Sequence, residues 1–164
     1  MCLSRGFTPE DLQLRNDMGS KLKGKSYNGL DAKGRLIVPT RLRAGLGESF
    51  VLCQGMDHNL YAYPNSEWDE FSEKLSKLPL SNPKTRRFRE FFEGSATECE
   101  MDGQFRIVIP QQLREFAGID KDVVVVGHTN FVAIWNKDAW DKMHEDEADT
   151  IEELSEEIGE AYGI

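Results

Sequence analysis

Cysteine and histidine are scarce in this chain of 164 residues, and those present are scattered. Cys2, Cys53 and Cys99 form no CxxC pair, and His58, His128 and His144 fall in no HxxxH or mixed Cys/His cluster. An odd number of widely spaced thiols argues against a disulfide framework, and the missing cluster removes the usual signature of a zinc site. No metal, cofactor or small-molecule ligand is expected. Long apolar runs are absent too: nowhere do 18 apolar residues follow one another, so no segment reads as a membrane-spanning helix. Residues 1–20 carry Arg5, Glu10, Asp11, Arg15 and Asp17 and lack the apolar core of a secretory signal, which points to the cytoplasm.

An overall excess of positive charge is also lacking, since the formal net charge is −9. Its distribution matters more than its sum, because binding responds to the local field. From Asp138 to Ile164 there are 11 acids against Lys142 alone, which leaves the other 137 residues at about +1. Between Lys21 and Gly45 the balance reverses, with Lys21, Lys23, Lys25, Lys33, Arg35, Arg41 and Arg43 against Asp31 alone. Such a stretch is either a solvated surface or a face for phosphate.

The chain repeats itself once. Leu30-Asp-Ala-Lys-Gly-Arg-Leu-Ile-Val-Pro39 aligns with Met101-Asp-Gly-Gln-Phe-Arg-Ile-Val-Ile-Pro110 at an offset of 71. Leu42-Arg43 then falls on Leu113-Arg114, Asn59 on Asn130, and Trp68 on Trp140 with a one-residue slip. In each copy a short apolar, mostly β-branched triplet, Leu36–Val38 or Ile107–Ile109, reads as a strand. A proline suited to a helix's first position follows it, then a helix over Thr40–Leu46 or Gln111–Ala117 ended by Gly45 and Gly47 or by Gly118. Phe50–Cys53 and Val123–Val126 read as buried strands of hairpins that end near Tyr63 and Trp135. Asn65 and Asn136 are candidate N-caps of the next helices. Phe-rich Lys84–Glu93 reads as a connecting helix, and a final helix carries Trp140, Met143, Ile151, Leu154 and Ile158 on one face. Copies of about 45 residues are too small to bury a core alone, so they are expected to fold together or intertwine.

Asp31-Ala-Lys-Gly-Arg35 lies between two strands and reads as a hairpin tip. Gly34 can supply a positive φ, and Asp31 can bond the turn amides or hold Arg35. Two readings of this pair stay open: a structural clasp within the turn, or a preorganised arginine that meets guanine while Lys33, Lys25, Arg41 and Arg43 neutralise phosphates. The second copy keeps Asp102 and Arg106 and presents Gln104 and Arg114, but has Phe105 where the first has Gly34. No nucleophile, base or metal ligand accompanies either tip, so the chain is not expected to be an enzyme. His58 or His128 with Asp57 or Cys53 forms no recognisable catalytic motif.

The paired Asp-x-x-x-Arg segments, with Tyr63-Pro64, Leu78-Pro-Leu80, Phe88–Gly94 and Ile134-Trp135, resemble the MraZ family of bacterial transcriptional regulators over about Leu22 to Glu157. The resemblance implies an α+β fold, a duplicated AbrB-like swapped-hairpin β-barrel with flanking helices. Its expected parts are an N-terminal extension (1–21), a first repeat (24–66), connecting helices (67–94), a second repeat (95–138) and an acidic C-terminal helix (139–164). It further implies a nucleoid-associated repressor of the division and cell-wall operon, including its own gene. Such a protein binds repeated promoter sites in double-stranded DNA as a ring homo-oligomer of the octamer or dodecamer class. Carried over by position, Lys33, Arg35, Gln104, Arg106, Lys25, Arg41 and Arg43 would touch DNA, and Asp31, Gly34 and Asp102 would shape the tips. The rival reading is a protein–protein adaptor whose basic tips meet an acidic partner.

Overall fold

The structure, a computed structural model, describes residues 22–145 and 151–164. The N-terminal extension and part of the acidic tail lie outside them. Strands β1 (Lys25–Gly29) and β2 (Arg35–Ile37) precede helix α1 (Thr40–Leu46) and the hairpin of β3 (Ser49–Gln54) and β4 (Leu60–Pro64). Helices α2 (Asn65–Ser76) and α3 (Pro83–Glu93) lead to the second copy. Its elements are β5 (Thr97–Glu100), β6 (Arg106–Val108), α4 (Gln111–Ala117), β7 (Asp122–Gly127), β8 (Val132–Asn136) and α5 (Lys137–Glu145). Helix α6 (Ile151–Tyr162) follows.

The two copies interleave. One antiparallel sheet runs β1-β7-β8-β4-β3-β5, and β2 pairs with β6 in a separate two-stranded ladder. Strand β1 of the first copy therefore lies on β7 of the second, and β5 of the second on β3 of the first. This intertwining meets the demand for a shared core, but no closed barrel is found among the described residues. β1 and β5 stand at opposite ends of an open sheet.

Strand alternation sends successive side chains to opposite faces, and here both faces are covered. Phe50, Leu52, Leu60, Ala62, Val123, Val125, Val132 and Ile134 pack beneath the ladder and helices α1 and α4, against Leu36, Ile107, Leu42 and Leu113. Cys53, Tyr61, Tyr63, Val124, Ala133 and Trp135 face the other way, against Leu75, Phe92, Phe71 and Trp140 of α2, α3 and α5. Burial on both sides explains why the strands read as continuous apolar runs.

Several local expectations are corrected. Pro39 and Pro110 occupy the N-cap positions of α1 and α4 with extended ψ of 138° and 145°, one residue before the helix proper. Gly45 lies inside α1, which ends at Gly47. Asn136 does cap α5, accepting from the Ala139 amide at 3.1 Å, but Asn65 is already helical and donates instead to Ser49. Within the two triplets, Ile37 and Val108 are exposed. Of the Phe-rich helix, Phe92 is buried, Phe91 partly so, and Phe88 exposed.

Candidate nucleic-acid interface

Each tip is a tight turn organised by one carboxylate. Asp31 Oδ1 accepts the amides of Lys33 and Arg35, both at 2.9 Å, and Oδ2 accepts Arg35 Nε at 2.6 Å. The second tip repeats this: Asp102 Oδ1 accepts the Gln104 and Arg106 amides at 2.9 Å, and Oδ2 accepts Arg106 Nε at 2.8 Å. The Arg35 amide, the Arg35 side chain and the Lys33 amide hold the Asp31 carboxyl below its ordinary value, and the Arg106 amide leads the same effect on Asp102. A charged acceptor bound by several donors favours its ionised form. Both guanidinium groups remain partly open to solvent, with side-chain exposures of 26% and 25%. Nε is held in each case, so the outer nitrogens can engage a further acceptor.

The ladder joins the two tips. Arg35 pairs with Val108, Leu36 with Ile107, and Ile37 with Arg106, while the Val38 amide donates to Phe105 O and the Ile109 amide to Gly34 O. The arginines thus sit diagonally on one surface, related by a pseudo-twofold through the Leu36–Ile107 pair.

Gly34 takes φ of 74° as the turn requires, and Phe105 adopts φ of 60° at the equivalent place. A bulky side chain in this region is strained. A cross-copy contact offsets part of that cost: Arg43, anchored by Nε to Val38 O at 2.9 Å, lays its guanidinium 4.0 Å from the centre of the Phe105 ring. Arg114, anchored to Ile109 O at 3.0 Å, does the same over Gly34, where an added Cβ would meet its Cζ at 2.9 Å. Each tip is therefore roofed by an arginine of the other copy. Arg114, which the sequence presents with Gln104 in the second copy, thus sits over the first tip.

Among the remaining predicted residues, Lys33 and Gln104 stand exposed on the tips. Arg41 is exposed on α1 and donates Nε to Lys23 O, bracing the segment before β1. Lys25 is not brought to the tips: its Nζ lies 5.6 Å from both the Tyr27 and Trp140 rings, on the side of the sheet that carries α5. Burial raises the thiols of Cys53 to about 12 and Cys99 to about 11, which suits packing and not thiolate chemistry. No group of three or more His, Cys, Asp or Glu side chains among the described residues could hold a metal, and no helix among them is long and apolar enough to cross a membrane.

The class so defined is a duplicated α+β protein, its interleaved copies displaying two carboxylate-clamped arginines on a shared β-ladder. The family description "MraZ protein, putative antitoxin-like" matches this chain twice, over residues 22–91 and 92–159. Similar proteins named transcriptional regulator MraZ occur in Desulforamulus reducens, 45% identical over 82% of this chain and 95% of the relative, and in Natranaerobius thermophilus, 42% over 82% and 94%. A third, from Desulfitobacterium hafniense, is 49% identical over 71% of this chain and 82% of its own length. The chain belongs to the MraZ family.

Proposed function

We propose that this protein is a sequence-specific, double-stranded-DNA-binding transcriptional regulator that reads base edges with Arg35 and Arg106. The observation that carries the reading is the duplicated clamp: each arginine is fixed through Nε by a charged acceptor while its side chain stays partly exposed. A guanidinium so held is ready to meet guanine O6 and N7 without first being ordered, and a two-stranded ribbon fits the major groove. Lys33 and Gln104 flank the arginines, and Arg41 and Arg43 are candidates for backbone phosphates. The names of the relatives support a regulatory role.

On this reading the protein works without catalysis or cofactor. It represses the division and cell-wall operon, its own gene included, from the nucleoid of the cytoplasm. Subunits close into a ring, so that weak single-tip contacts gain effective concentration on repeated sites, commonly worth ~10²–10⁴-fold in avidity. Gel-shift titration of DNA from upstream of the protein's own gene tests the mechanism. Arg35→Ala is expected to lose roughly 1–3 kcal/mol of discrimination between that DNA and a scrambled duplex. Unchanged discrimination in the variant would reject the proposed role of the clamp.

A further inference from the structure

The β2–β6 ladder buries one row of side chains and shows the other. Leu36 and Ile107 point inward, at 2% and 1% exposure, while Arg35, Ile37, Arg106 and Val108 alternate to the outer surface. Ile37 is 52% exposed and Val108 57%. The flanking bonds from the Val38 amide to Phe105 O and from the Ile109 amide to Gly34 O make Arg35–Val108 and Ile37–Arg106 the non-hydrogen-bonded pairs. Facing side chains stand closest in such pairs, with about 4.5 Å between Cα atoms. The surface is a two-by-two chequer in which each arginine faces an apolar β-branched residue.

A single exposed apolar side chain needs no explanation. Here two occupy equivalent places in both copies, the two positions of the outer row that the arginines leave. Strand propensity favours β-branching, but threonine would satisfy it without leaving apolar surface in water. The charges identify the occupant. Arg35 and Arg106 lie within the patch and Lys33 beside it, so an apolar protein surface seated here would strip water from cations and give them no acceptor. The major groove offers both chemistries together, because base-edge acceptors stand beside the 5-methyl groups of thymine.

We infer that Ile37 and Val108 are specificity-determining residues that contact thymine methyl groups beside the bases met by Arg35 and Arg106. This rests on the DNA-binding reading and adds a base preference to it. The test uses the region upstream of the protein's own coding sequence, amplified once with dTTP and once with dUTP, which differ only in the methyl group. Wild-type protein should bind the thymine duplex more tightly, by about four-fold per contacted methyl, the worth of burying one such carbon. A scrambled duplex prepared both ways should show a ratio near one. In the Ile37→Ala/Val108→Ala double variant the ratio on the upstream duplex should collapse towards one. Because it is a ratio within one preparation, partial unfolding of the variant does not disturb it.

A thymine preference that survives in the double variant would overturn the inference, as would a wild-type ratio of one or an equal ratio on the scrambled duplex. A fall in the variant's mass by light scattering without DNA would show the patch to be a contact between copies and would overturn it too. Failure of wild-type protein to prefer the upstream duplex over the scrambled one in either form would instead reject DNA reading itself.

Discussion

A carboxylate that accepts three N–H bonds is hard to protonate, and this makes the tips insensitive to pH. The folded-state value of Asp31 lies below its ordinary one, with the Arg35 amide as the largest cause. Its contribution is thus fully present above the unfolded value of about 3.9 and is lost only as pH falls through the lower folded value. The same holds for Asp102. Between pH 8 and 5 the clamps should stay charged and site discrimination should be flat as far as they determine it. Asp31→Asn tests the charge without changing the shape. Its Oδ1 can still accept both turn amides, but its NH2 would face Arg35 Nε, donor against donor, and release the guanidinium. Discrimination in a gel-shift titration should fall roughly ten-fold, within what a bidentate arginine–guanine contact is worth, with the circular dichroism spectrum unchanged. Wild-type discrimination in Asp31→Asn would show that the clasp serves the turn alone.

At the scale of elements, what was legible in the sequence is what local chemistry determines. The Asp-x-x-x-Arg turn announces itself because carboxylate, positive-φ position and arginine lie within five residues. Helices α1 and α4 follow their prolines at the expected bounds. Strand partners were not legible, since β1 has no buried residue and nothing in residues 25–29 marks β7 as its partner. Nor does the offset of 71 persist. Leu36 faces Ile107 across the ladder, whereas Tyr61 faces Ala133 where β4 meets β8, so the equivalence has moved by one residue. The slip noticed at Trp68 and Trp140 therefore begins before these strands, and Asn59 and Asn130 are not true counterparts. The helical layer gives a direct test of which phenylalanines belong to the fold. Phe92 meets Phe71, Phe88 and Phe91 edge-on at 5.0–5.1 Å and is 1% exposed, whereas Phe88 is 45% exposed. Phe92→Ala should cost about 3–5 kcal/mol in urea unfolding, and Phe88→Ala less than about 1 kcal/mol, as for a surface change. Comparable losses from the two would contradict the described packing. Since this layer lies across the sheet from the tips, the folded fraction of Phe92→Ala should keep its DNA preference.

For the whole molecule, the proposed function raises the question of how a chain with net charge −9 would approach a polyanion. The residues after Glu145 carry eight acids and no base, so their removal brings the formal charge to −1. The described part of that tail adds nothing to either core: every residue of α6 except Gly159 is exposed, and none belongs to the buried clusters. Truncation after Glu145 should therefore leave the tips and their supporting sheet intact while removing a long-range repulsion. A duplex long enough for one site isolates this effect, because it allows no multivalent engagement. On a scrambled one-site duplex at low salt the truncated protein should bind several-fold more tightly than the full chain. That gain should shrink as ionic strength approaches 0.15 M, where the screening length is only about 8 Å. On the proposed reading the preference for the specific site should change little, since Arg35 and Arg106 would read base edges while the tail acts on every sequence alike. Equal affinities of the two proteins at low salt would mean that the acids lie too far from the bound duplex to repel it. A loss of site preference on truncation would place the tail in the recognition surface itself.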